Sequence, residues 1–167
     1  IFHYLEQTGD LERVRTWWPM VARALDFVLT LQRPDGTISW SLEAWGSAED
    51  DALLAGNASI LKSLACGIRL ANALGHPAEH WRYGYDALRT ALRSGPLLFD
   101  RRGQGARFAM DWYYPVLSGA LDRVRARDHI FAPWPMFLPD KRGCLSVPDE
   151  PWLTTAETRR SVVAPIA

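Results

Sequence analysis

Two cysteines in 167 residues, Cys66 and Cys144, cannot build a disulfide framework. Free thiols fit a reducing cytoplasm, where we expect the chain to reside. Charge of one sign is also missing. Nineteen Lys and Arg cancel nineteen Asp and Glu, which excludes a strongly basic nucleic-acid binder and an acidic disordered tail. No apolar run approaches the ~20 residues of a membrane span. There is no glycine-rich phosphate loop ahead of a helix and no G-x-S-x-G elbow. A start methionine and a signal peptide are absent too, and the last residues have a helical pattern. The expectation is therefore a fragment of a longer chain.

What is present is tryptophan, eight of them against three Met. Trp40, Trp45, Trp112, Trp134 and Trp152 fall in or beside segments that lack helical periodicity. Indoles in loops suit a lined cavity mouth better than a core. The neutral total also hides a split. Residues 1–83 carry seven basic and ten acidic groups, and residues 84–167 carry twelve and nine.

Helical spacing dominates the chain. Leu11, Val14, Trp18, Val21, Leu25 and Val28 form one stripe that ends at Pro34-Asp35-Gly36. Pro19 falls inside the stripe and predicts a start or a kink there. Thr37–Ser41 suggests a short extended piece. A second helix is predicted over Asp50–Leu74. Its apolar and small residues surround much of its circumference, as in a helix buried on several sides. Gly75 ends it, and Pro77 opens an amphipathic helix over Ala78–Ser94. Pro115 suits the first turn of another helix, to about Arg127. Pro133–Pro151 is expected to be irregular, and Thr154–Ala164 a final helix. Helix, glycine turn and aromatic recur at Gly36 and Trp40, Gly103 and Trp112, and Gly143 and Trp152. The fold expected is all-α, an α/α toroid of stacked αα-hairpins forming part of a ring, with residues 1–167 as a single domain.

Three clusters carry chemistry. WSLEAWGSAEDD, residues 40–51, sets Glu43, Asp50 and Asp51 beside Trp40 and Trp45. Carboxylates beside indoles suit glycoside hydrolysis: one carboxyl protonates the leaving oxygen, another activates water or attacks, and aromatic faces stack on sugar rings. Asp50 also fits a helix-capping role with Ser47. MDWYYPVLSGAL, residues 110–121, adds Asp111, Trp112, Tyr113 and Tyr114, with Asp111 equally suited to capping. Three consecutive aromatics cannot all face one way, so at least one faces a cavity or solvent. VPDEPWLTTAET, residues 147–158, contributes Trp152, while Thr154 and Glu157 match a capping box. His76 and His80 are four apart, but Pro77 interrupts a shared helix face, so no metal site and no cofactor is expected.

LDFVLTLQRPDGTISW, LLAGNASILKSLACGIRLANALG and AMDWYYPVLSGAL together resemble a group of bacterial α/α-toroid proteins labelled prenyltransferase-like. These are similar to six-hairpin glycosidases and to the squalene cyclase/prenyltransferase toroid. The resemblance runs from about Val21 to Val163. It implies a ring of hairpins around a central cavity, with rim carboxylates doing acid/base work. Glu43 or Asp111 is then the expected general acid, and Asp50 or Asp51 the base. Trp40, Trp45, Trp112, Tyr113, Tyr114 and Trp152 are the expected substrate contacts. The function expected is a carbohydrate-active enzyme acting on a glycan or sugar conjugate. The alternatives are an isoprenoid enzyme, whose aromatics would stabilise carbocations, and a non-catalytic helical scaffold.

Overall fold

A computed structural model describes residues 1–42, 50–101 and 108–138, and the regular structure of these residues is helical apart from isolated bridge residues, among them the antiparallel pair Gln32 and Ile38. The predicted helix at Thr154–Ala164, with Glu157, lies outside them. In chain order the helices are α1 (Phe2–Thr8), α2 (Leu11–Thr30), α3 (Leu54–Leu74), α4 (Glu79–Ser94), α5 (Ala109–Leu117), α6 (Arg123–Phe131) and α7 (Trp134–Phe137). A 3₁₀ turn, Pro96–Leu98, follows α4.

Pro19 neither starts nor stops α2, which begins eight residues earlier, at Leu11. Asp10 explains the early start. Its carboxylate accepts the Arg13 N–H at 2.9 Å and the Tyr4 hydroxyl at 2.8 Å, satisfying one donor of the first turn. The apolar stripe then carries the helix through the proline, with Val14 and Leu25 buried on it.

Helix α3 is the centre, packing against α1, α2, α4 and α5. Leu61, Leu64, Ala58 and Ala71 are completely buried on it. Small residues allow this crowding. At Gly67 a side chain would collide with the end of Leu25 of α2 and touch Trp81 of α4. Gly75 closes α3 in the left-handed conformation, φ 78°, and α4 folds back to make the αα-hairpin. Trp81, 1% exposed, is the largest side chain of that core. Burying a large apolar side chain of this kind stabilises by roughly 1.5–3 kcal/mol.

The turn after α2 is fastened to the start of α3 by Asn57, itself 1% exposed. Its Oδ1 accepts the Ile38 N–H at 2.7 Å, and its Nδ2 donates to the Ile38 and Leu53 carbonyls, both at 2.9 Å. The bridge between Gln32 and Ile38 closes the same turn. This turn delivers Trp40 to the α3 N-terminus. A second, smaller core lies beyond α5, where Trp112 stacks on Phe137 at 5.0 Å.

Candidate functional site: an acidic helix mouth

Helix α3 starts at Leu54, four residues later than the spacing predicts, and the residue at its N-cap is Leu53, which has no side chain able to accept a hydrogen bond. The first N–H groups of a helix need acceptors, and its dipole favours negative charge there. Carboxylates distant in sequence fill the role. Asp100 Oδ2 accepts from the Leu54 N–H at 3.4 Å, and Asp111 Oδ1 from the Ala55 N–H at 3.3 Å. The other Asp111 oxygen accepts the Phe108 N–H at 3.2 Å, which fixes the carboxyl in the first turn of its own helix, α5.

Asp51 completes the group. It is 5% exposed, and its Oδ1 accepts from the Ala52 N–H at 2.8 Å and the Arg101 N–H at 3.1 Å. The Asp100 N–H in turn donates to the Ala52 carbonyl at 2.8 Å. Asp51, Asp100 and Asp111 therefore converge on one helix mouth from three separate stretches of chain. Burial pushes the Asp111 carboxyl above the ordinary aspartate range, against the hydrogen bonds that lower it. Asp100 is raised as well, first by burial and then by the negative charges of Asp111 and Asp51.

Asp50 lies on the outside of this group, its carboxylate exposed and paired with Arg33 at 2.7 Å. Arg33 and Arg101 both reach Asp35, at 3.9 and 3.1 Å, so ion pairs tie the Gly36 turn to both sides of the mouth. Trp40 is 55% exposed, and its N–H donates to the Asp51 carbonyl at 3.2 Å, setting an accessible indole beside the acids.

Of the residues singled out in the sequence, the structure brings Asp51, Asp111 and Trp40 to one place, with Asp50 at its edge. Glu43, Trp45 and Trp152 lie outside the described residues. Trp112, expected at a cavity mouth, is a core side chain: one ring face is taken by Phe137, and its Nε1 donates to the Ile130 carbonyl at 3.0 Å. Tyr113 and Tyr114 are half-buried, their rings 5.0 Å apart. Tyr114 lines a cavity of about 310 Å³ between α3 and α5, together with Ser59, Lys62 and Leu117. Among the described residues no group of His, Cys, Asp and Glu is placed to hold a metal ion. Sequence reasoning missed Asp100. The available signal was its position just ahead of the Gly- and Arg-rich sequence Arg101–Arg107; in the structure it adopts a positive φ of 50°.

The described residues thus define a helical protein segment that gathers carboxylates at a helix mouth beside an exposed indole. No family model matches the chain. Across 164 residues, 98% of its length, it is 40% identical to a protein of Mycolicibacterium hassiacum named MMP endo-(1,4)-3-O-methyl-alpha-D-mannosidase. Those residues span 45% of that relative, so the chain corresponds to less than half of it. No described helix is long and apolar enough to cross a membrane.

Proposed function

We propose that this chain forms part of a glycoside hydrolase that cuts internal α-(1,4) linkages of a mannose-type glycan. The observation that carries the reading is the meeting of Asp51, Asp100 and Asp111 at one helix mouth, in a chain 40% identical to an endo-mannosidase. In this reading the hairpins belong to an α/α toroid of the six-hairpin type, with α3 as an inner helix.

A general acid must keep its proton near the working pH, and burial favours that in a carboxyl group. Burial shifts Asp111 in this direction, which makes it the first candidate, and Glu43 is the second. The acid gives its proton to the glycosidic oxygen as the bond to the anomeric carbon breaks. A carboxylate base, Asp51 or Asp50, takes a proton from the water that attacks that carbon. Asp100, raised by its own burial and by the charge of Asp111, is a further carboxyl beside the acid. Trp40 and Trp45 offer ring faces to the sugars, Tyr113, Tyr114 and Trp152 extend the contact, and Trp112 supports the tyrosines from the core.

The test is turnover of a (1,4)-linked 3-O-methylmannose oligosaccharide by the natural full-length protein. Glu43→Gln and Asp111→Asn are each expected to lose activity while the helical circular dichroism stays unchanged. Full activity in both variants would remove these acids from the mechanism.

A further inference from the structure

A second cavity, with a more polar lining, lies against the αα-hairpin. It has a volume of about 390 Å³ and runs between α3 and α4. Ile68, Arg69 and Asn72 line it from α3, and Arg82, Tyr85 and Asp86 from α4. Arg69 stands fifteen residues along α3 from Leu54, which at 1.5 Å per residue is about 22 Å from the acidic mouth. The two places share no residue.

Both guanidinium groups are held by uncharged neighbours. Arg82 Nη2 donates to Asn72 Oδ1 at 2.8 Å. The Arg69 guanidinium carbon lies 5.3 Å from the centre of the Phe2 ring. Among the described residues neither arginine forms an ion pair with a carboxylate, and the two share one cavity. Guanidinium groups in this state keep donors for an oxyanion, which they bind in a planar, paired geometry.

Asp86 limits what the anion can be. A bare phosphate or carboxylate drawn in by the two arginines also meets the like charge of Asp86 and has no hydroxyl group to donate to it. A ligand that also carries hydroxyl groups donates to the Asp86 carboxylate and to the side chains around it. Tyr85, packed against the core on one side, adds a partly apolar wall on which the C–H face of a sugar ring can rest. The volume is in the range of small-ligand sites.

We propose that this cavity binds a single sugar unit bearing one oxyanion, a sugar phosphate or a uronic acid. Arg69 and Arg82 take the oxyanion, and Asp86 and Asn72 take the hydroxyls. The proposal does not rest on the hydrolase reading, because none of its residues touches the acidic mouth.

Isothermal titration calorimetry of the natural full-length protein tests it, with glucose 6-phosphate and glucuronate as probes and glucose and inorganic phosphate as controls. The two probes distinguish a phosphoryl from a carboxylate ligand. At least one is expected to bind saturably, more tightly than both controls and more weakly as salt rises. Arg69→Ala and Arg82→Ala are each expected to weaken that binding by about tenfold or more. Both side chains are exposed, so the variants should keep the helical circular dichroism of the parent. Asp86→Asn is expected to narrow the preference for the anionic sugar over phosphate. Three results would overturn the proposal: phosphate or glucose binding as tightly as the anionic sugars, binding unchanged in both arginine variants, or no saturable binding at all.

Discussion

Asp111 and Ala55 are 56 residues apart in the chain, yet the carboxylate of one accepts the backbone N–H of the other at 3.3 Å. Through that bond α5 supplies the acceptor that the start of α3 lacks. Replacing Asp111 with Ala leaves the Ala55 and Phe108 N–H groups without their acceptor in a half-buried setting. Each lost bond of this kind costs about 0.5–1.5 kcal/mol. Urea unfolding should show a lower midpoint with little change in slope.

Asp100 and Asp111 make stability depend on pH. Both carboxyls are raised above the ordinary value of 3.8 in the folded protein. The folded state then binds more protons than the unfolded state between 3.8 and the raised values. Stability is therefore greatest at the acid end of that window and falls as pH rises through the folded values. Asp26 and Asp35 are shifted the other way. Asp26 is held down chiefly by its bond to His80, and Asp35 by Thr37 and the two arginines, against its own burial. Their contribution is present above 3.8 and lost as pH falls through their folded values. Thermal melts from pH 3 to 7 should show opposing slopes on the two sides of 3.8. An Asp100→Asn, Asp111→Asn double variant should flatten the upper side alone.

Asn57 couples the Trp40 turn to α3 through three hydrogen bonds in a site closed to water. Asn57→Ala strips the Ile38 N–H and C=O of their partners, at about 1–3 kcal/mol for each buried group. The loss should exceed that of exposed Asn72→Ala. Hydrogen exchange at the Ile38 amide should accelerate in the Asn57 variant.

Gly36 has φ 85°, and a Cβ built there would lie 2.6 Å from the Ala87 carbonyl oxygen. That oxygen is helix backbone in α4, so it cannot rotate away. Gly36→Ala combines left-handed strain with this collision, each worth about 1–3 kcal/mol. The variant should melt well below the parent, while Gly9→Ala, with the same sign of φ and open space around it, should lose less.

The sequence makes the helices legible because their burial is periodic. Leu61, Leu64, Ile68 and Ala71 repeat at helical spacing and are buried as that spacing implies. Gly75 ends α3 where the pattern predicts. The boundaries were less legible where long-range partners decide them. Asp50 has the chemistry of a helix cap, yet Arg33 draws it outward and the caps arrive from Asp100 and Asp111. Pro115 suggests the start of a helix, but Asp111 starts α5 earlier and the proline is carried inside it. At the site, Asp51 and Asp111 are visible as acids beside aromatics. Their convergence, and the part of Asp100 in it, depends on packing between α3 and α5 that no local pattern encodes. Trp112 shows the reverse case. Its neighbours in sequence suggest a mouth, whereas Phe137 and the Ile130 carbonyl give it a core environment.

The central claim is that carboxylates at the α3 mouth break a glycosidic bond. The most direct measurement is the pH profile of kcat for glycan hydrolysis by the natural full-length protein, compared between the parent and Asp111→Asn. The parent should lose activity at high pH as a carboxyl with a raised pKa gives up its proton, and the variant should lose turnover at every pH while remaining folded. An Asp111→Asn protein with the parental rate and the same high-pH limb would contradict the account.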